Sequence, residues 1–163
     1  KGDMRSYRCK KLFDSVISLF HVLGYNTHNH DVCDTFETAH SHLKNGGIFL
    51  FDLWYSPAIF HLKPEVKIKK YENENFFINR ISNPEHIVTK NTVIVNYEFH
   101  IQNKQTKEWV YFTEKHHVRY FSIPEIQYFA QQIGFRFLHA EEWITKELPS
   151  ENTWGVTFIL KKV

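Results

Sequence analysis

Two short apolar runs set the plan of this 163-residue chain. The first, Phe13–Phe20, is interrupted only by Asp14, Ser15 and Ser18, and leads into His21 and a Gly24-Tyr25 turn. The second, Ile48–Leu53, reads IFLFDL. Runs of this length without alternation predict strands buried on both faces, the habit of parallel sheets. Between them Val32, Phe36, Ala39 and Leu43 form one stripe of an amphipathic helix. Asn45-Gly46-Gly47 then offers the residues of a left-handed helix C-cap. Strand, helix, cap and strand make a βαβ unit with a right-handed crossover. In an open α/β sheet, ligands lie beyond the carboxyl ends of the strands. Leu19–Leu23 and Asp52 fall at such ends, and Asp52 reads equally as a site residue or a helix N-cap.

From Glu65 to Phe121 the period changes to two. Val93, Val95, Tyr97, Phe99 and Ile101 share one face of a strand, and Thr92, Asn96, Glu98 and His100 the other. This predicts an antiparallel sheet with one wet side. Val66–Tyr71 and Phe76–Ile81 are two further strands, and 103–107 is a hairpin loop leading to a strand over Trp109–Tyr120. Ser122-Ile123-Pro124-Glu125 is a capping box with proline in the first helical turn. The stripe Ile126, Phe129, Ala130 and Ile133 follows, and Gly134 closes that helix. Phe135–Ile144 and Trp154–Lys161 are two strands close enough in sequence to pair antiparallel, so the main sheet should be mixed. The domain reading is a partial α/β core over 1–64, an inserted antiparallel block over 65–121, and the last helix and strand pair of the core over 122–163.

Composition narrows the functional classes. A formal charge of +2, with no long Lys/Arg block, gives no phosphate-tracking surface and speaks against nucleic acid as a partner. No apolar run approaches the roughly 20 residues of a membrane span, and no signal-peptide pattern is present. Two cysteines, Cys9 and Cys33, lack motif spacing and read as free thiols of a reducing cytoplasm. Eleven histidines include the close pairs His28/His30, His40/His42 and His116/His117. Side chains two apart on a helix diverge, and no Cys/His spacing fits zinc, so no metal is expected. The aromatic content of 17% suggests a broad apolar cleft.

Taken in order, several segments resemble the later half of a class I S-adenosylmethionine-dependent methyltransferase. Gly2-Asp3-Met4 stands where that family places its acidic adenine-binding loop. FDSVISLFHVLGY is similar to its fourth strand and active-site turn, and LKNGGIFLFDLWY to its helix end and fifth strand. YFSIPEIQYFAQQIGF resembles the last helix with its Gly-Phe exit, and EEWI with TWGVTFIL the terminal antiparallel pair. The resemblance implies an α/β fold: a Rossmann-like mixed sheet, the later strands of a seven-stranded methyltransferase fold, with an antiparallel β lid insertion. It implies S-adenosylmethionine as cofactor and a small-molecule acceptor, methylated on an amino or hydroxyl group. The insertion resembles the substrate lid of small-molecule methyltransferases, those acting on sugar amino groups among them.

The glycine-rich loop and the acidic strand end that hold the methionine and ribose parts of the cofactor in the family have no counterpart in this sequence. On the family order, Phe13–Phe20 would pair with a strand preceding Lys1. Without it the strand is an apolar edge with unpaired backbone groups. The expectation is an incomplete unit, completed by a missing N-terminal half or covered by a second copy in a homodimer.

The resemblance also distributes roles. Asp3 would accept from the adenine amino group, and Met4 would offer its backbone N–H and an apolar contact. Leu19 would hold the cofactor's amino group through its carbonyl, with Phe20 at the edge of the reaction centre. His21 is the candidate catalytic base, since imidazole titrates near neutral pH and an ammonium acceptor must lose a proton; a structural histidine is the alternative. Trp54 and Tyr55 could cradle a methylammonium product, or simply fill space under the lid. Tyr25, Arg119 and Tyr120 are candidate acceptor contacts, Arg119 through a phosphate or carboxylate, or else as a solvated strand arginine. Against the enzyme stands a non-catalytic dimerisation or ligand-binding module derived from a methyltransferase. A nicotinamide-dependent Rossmann enzyme is disfavoured by the lid insertion and the terminal antiparallel pair.

Overall fold

The computed structural model describes residues 1–163 and divides them into two compact units, Lys1–Lys63 with Arg119–Val163, and Pro64–Val118. The first unit holds a four-stranded sheet in the order β1-β2-β8-β7. Its strands are β1 (Phe13–Ser18), β2 (Leu43–Trp54), β7 (Phe135–Glu142) and β8 (Gly155–Lys162). β1 runs parallel to β2, while β8 is antiparallel to both β2 and β7, so the sheet is mixed as the sequence predicts. Its helices are α1 (Asn29–His42), the short α2 (Ser56–His61), and α3 (Ile123–Ile133). Sequence periodicity gave no sign of α2, whose six residues are too few to show a stripe.

Register explains where the core lies. Phe49, Phe51 and Leu53 of β2 alternate onto one face, with Leu160, Phe158 and Val156 of β8 as their partners. All six are buried. Phe36 of α1 meets this face through the rings of Phe49 and Phe51, both at 5.4 Å, and reaches Phe129 of α3 and Phe135 of β7 at 6.4 and 6.2 Å. On the opposite face Ile17 and Leu50 pair with each other and Leu50 with Ile159. Ile17 is 61% exposed. The expectation that β1 is buried on both faces is therefore corrected. It is an edge strand whose Val16 side joins the core and whose Ile17 side is open.

The glycine pair also differs from its expected role. α1 ends at His42 with an extended Leu43 after it, and β2 begins there, so Asn45-Gly46-Gly47 lies inside the strand. Lys162 caps the helix instead, donating its ammonium to the carbonyls of His40 (2.8 Å) and Leu43 (2.9 Å). The glycines absorb an irregularity in the β1–β2 register, which jumps from Phe13↔Leu43 to Ser15↔Ile48. Gly46 takes φ +78, which an L side chain resists. α3 follows its sequence signals closely: Ser122 Oγ accepts from Glu125 N–H and Gly134 closes the helix at φ 91.

The second unit is a sheet in the order β3-β4-β5-β6, from β3 (Lys67–Glu72), β4 (Phe76–Ile87), β5 (Thr92–Asn103) and β6 (Trp109–Arg119). β3–β4 and β4–β5 are antiparallel. β4 runs six residues beyond the expected Ile81, through Pro84, which lies past the end of the β3 ladder where its missing N–H costs nothing. Arg80 lies over the rings of Tyr71 (5.8 Å) and Tyr97 (5.2 Å), and Phe99 stacks on Phe112 at 4.7 Å. No helix is long and apolar enough to cross a membrane.

Candidate active site

The carboxyl end of β1 turns sharply. Phe20 and His21 both take positive φ, 64 and 60, a conformation that costs a non-glycine residue roughly 1 kcal/mol or more. His21 then caps a 3₁₀ turn over Val22–Tyr25, its carbonyl accepting from Gly24 N–H at 2.9 Å. The turn is tied to the neighbouring strand by Asp52. This carboxylate is fully buried in β2 and accepts the His21 backbone N–H through Oδ2 at 3.0 Å. The same oxygen lies 2.6 Å from His21 Nδ1, approached off the N–H axis, so the contact is close but bent. Asp52 is thus no helix cap: α2 begins after Tyr55, with no side-chain cap.

Aromatic rings surround the imidazole. Trp54 at the end of β2 and Trp143 just beyond β7 both lie 6.3 Å from it, and Trp143 also meets Phe20 at 6.2 Å. Trp54 is supported from behind by Trp154 at 5.7 Å. Gly155 opens β8 beside the ring: a Cβ there would stand 3.1 Å from His21 Cε1. Backbone bonds fix these pieces, with Trp143 N–H donating to Gly155 O at 2.9 Å and Tyr55 N–H to Trp154 O at 3.0 Å. Sequence reasoning missed Trp143, Trp154 and Gly155 as site residues; an aromatic at a strand end in EEWI and a Trp-Gly pair were the available signals.

Next to this turn lies a cavity of about 460 Å³, within the range of roughly 300–1,000 Å³ typical of small-ligand sites. Asp3, Met4, Leu19 and Val22 belong to its wall, with Val16, Thr35 and Phe49 deeper in the β1–α1 groove. Leu19 and Val22 bracket Phe20–His21, so the cavity borders the same turn. Its walls are mostly apolar, which suits a planar heterocycle better than a charged group. Asp3 is already engaged by Arg5, at 2.7 Å, and the Arg5 side-chain hydrogen bond holds its carboxyl down at about 2. Arg5 bridges on to Asp31, also at 2.7 Å, so Asp3 and α1 are linked through one guanidinium. An apolar wall with the Asp3 carboxylate and Leu19 in it is chemically suited to an aromatic heterocycle bearing an amino group, such as the adenine end of S-adenosylmethionine.

Other sequence candidates land elsewhere. Tyr25 is half-exposed at the end of the 3₁₀ turn. Tyr55 packs against the core and pairs by backbone with Phe121. Arg119 is neither an open acceptor contact nor a solvated strand arginine. Its buried guanidinium pairs with Glu125 and lies over the rings of Phe121 and Phe129, at 4.8 and 5.8 Å. The reason is electrostatic: a cation buried beside α3 needs a carboxylate, and Glu125 in the first turn provides it. Tyr120 is also corrected, being fully buried with its ring edge-on to Phe60 at 5.7 Å. Burial, and secondarily the Glu125 charge, raises its phenol pKa.

With this geometry in view, comparison with known proteins is decisive on one point. The family described as a methyltransferase domain matches residues 7–140. The chain belongs to that family. A curated relative, dTDP-3-amino-3,4,6-trideoxy-alpha-D-glucopyranose N,N-dimethyltransferase of Streptomyces venezuelae, is 30% identical over 60 residues, covering 37% of this chain and 25% of the relative. Streptomyces venezuelae DesVI superposes with a TM-score of 0.80 at 19% identity, over 100% of this chain and 64% of its own. CalS10, an amino pentose methyltransferase from Micromonospora echinaspora solved with S-adenosylmethionine bound, gives 0.76 at 17% identity, over 99% and 63%. At these identities the likeness is one of fold, and it places the mixed β1-β2-β8-β7 sheet in the Rossmann-like methyltransferase architecture expected from sequence. The methyltransferase-domain chain described here spans about a quarter of its curated relative and less than two thirds of either solved structure.

Proposed function

We propose that this methyltransferase-domain chain carries part of the site for methyl transfer from S-adenosylmethionine to a small-molecule acceptor, through an amino or hydroxyl group. The observation that carries the reading is the His21–Asp52 pair at the end of β1, beside a cavity whose wall includes Asp3, Met4 and Leu19. A sugar amine as acceptor is supported by the curated relative, a sugar N,N-dimethyltransferase, and by CalS10, an amino pentose methyltransferase.

When bound, the cofactor supplies a methyl group whose bond to sulfur breaks as the bond to the acceptor forms, the S–C electron pair staying on sulfur. Asp3, Met4 and Leu19 bind and orient. Trp54 and Trp143, beside His21, offer ring faces to a methylammonium product. His21 takes the proton that the acceptor gives up. Orientation of this kind supplies much of the acceleration in a direct displacement. The sheet of Pro64–Val118 is the counterpart of the insertion that binds the acceptor in small-molecule methyltransferases, and the protein works in the cytoplasm, as a homodimer or with a further segment against β1.

The exposed Ile17 side and free edge of β1 favour a second reading, a non-catalytic dimerisation or ligand-binding module. Calorimetric titration of the 163-residue chain with S-adenosylmethionine and its demethylated product separates the two. Heat with micromolar to millimolar affinity is expected on the first reading. Absence of heat, persisting when a segment that completes the sheet is supplied, would sink it.

A further inference from the structure

Asp52 is an acidic side chain with 0% exposure on a strand otherwise built of Phe, Leu and Trp. A carboxylate so placed needs donors: Oδ1 is buried without a partner, while Oδ2 accepts the His21 backbone N–H at 3.0 Å and lies 2.6 Å from the ring Nδ1 in a bent approach. The backbone bond holds the second of two consecutive left-handed residues, a turn that Phe20 and His21 do not favour by themselves. The ring contact has a separate consequence. A carboxylate can only accept, so in a neutral imidazole beside it the proton belongs on Nδ1 and Nε2 is left bare. Nδ1 is buried while the His21 side chain as a whole is 30% exposed, so the exposure belongs to the rest of the ring. Gly155 leaves room along the Cε1 edge, where a side chain would collide at 3.1 Å.

We propose that Asp52 is the positioning residue of His21, fixing its Nδ1–H tautomer so that Nε2 is presented as the bare, proton-accepting nitrogen at the end of β1. That Nε2 takes a proton from a methyl acceptor rests on the proposed function; the tautomer and its cause do not. Asp52 acts only through His21, and no role in touching the reacting atoms is assigned to it.

The test is a long-range proton–nitrogen correlation spectrum of the whole chain labelled at histidine, at a pH where imidazole rings are neutral, with His21 assigned by its loss in H21Q. The expected spectrum has Nδ1 at the protonated-nitrogen position and Nε2 at the bare-nitrogen position. In Asp52→Leu, which removes the acceptor without adding a polar group, both signals should move toward the averaged positions of free imidazole. A wild-type His21 protonated at Nε2 overturns the proposal, as does a Leu variant with unchanged signals. Should circular dichroism show that the Leu variant fails to fold, the wild-type spectrum still decides by itself. An Nδ1–H tautomer in a chain that gives no heat with S-adenosylmethionine, even with its sheet completed, would retain the positioning role and remove the methyl-transfer reading.

Discussion

Gly155→Ala is the most informative single change at the β1 turn. The backbone of Gly155 is not in the left-handed region, so alanine is tolerated conformationally and would gain about 0.4–1 kcal/mol by restricting the unfolded chain. Against this stands the added methyl, 3.1 Å from His21 Cε1 and 3.4 Å from Trp143 Cβ. An ordinary carbon contact needs about 3.5–4.0 Å, so the imidazole must yield by about half an ångström. Rings at 6.3 Å on Trp54 and Trp143 hem it in, and Asp52 Oδ2 stands 2.6 Å from Nδ1. Overpacking of this kind costs about 1–3 kcal/mol. The His21 side chain, 30% exposed, can relieve part of that by moving outward, away from Asp52. The net expectation is a loss of about 0–2 kcal/mol in urea unfolding, together with a displaced His21 ring signal in the histidine-labelled spectrum. A variant stabilised by the full alanine gain, with His21 signals unmoved, would show that the ring is not packed against Gly155 and refute the argument.

Three further predictions concern the scaffold. Phe36→Ala removes a fully buried ring shared by Phe49, Phe51, Phe129 and Phe135, and should cost about 3–5 kcal/mol in denaturant unfolding; a loss under 1 kcal/mol would contradict the central place of Phe36 in the core of the first unit. Glu125→Ala strands the Arg119 guanidinium beside Phe121 and Phe129 and also removes a first-turn acid from α3. Because Glu125 is partly exposed, the expected loss is about 2–3 kcal/mol rather than the roughly 3–5 of a fully buried pair, and Arg119→Met with Glu125→Ala should recover part of it. His40 has its pKa lowered, first by burial and then by the Lys162 charge. With the folded value below 6.5, the unfolded chain binds more protons. The contribution of His40 is therefore intact above 6.5 and lost as pH falls from there through the folded pKa. His40→Gln should flatten the decline of the melting temperature across that interval, and an unchanged profile would count against it.

The reach of the sequence can be followed residue by residue. α3 was legible end to end, because Ser122, Pro124 and Gly134 act on backbone groups within a few positions of themselves. The antiparallel β7–β8 pair and the mixed sheet followed from short connections and strand period. The same local logic misassigned Gly46-Gly47, since the competing cap, Lys162, comes from the far end of the chain. It also left Arg119 on a wet surface, although Glu125 six residues on draws it inward. β1 looked doubly buried because an apolar run records what a strand can bury, not which neighbours it has.

What the sequence by itself determined is the order and kind of most elements, which rest on period, capping and turn chemistry that neighbours in the chain can satisfy; the Rossmann-like methyltransferase architecture was implied by the resemblance of those segments to the family. What only the tertiary structure decided is the chemistry at the β1 turn. His21 and Asp52 lie 31 residues apart and meet because β1 and β2 pair in parallel with Ser18 opposite Phe51. Gly155 and Trp143 reach the same ring through the β2–β8–β7 ladders. A shift of one residue in that register would turn Asp52 into the apolar core, because side chains alternate across a strand. The pairing of strands, which no local signal encodes, is what brings these groups together.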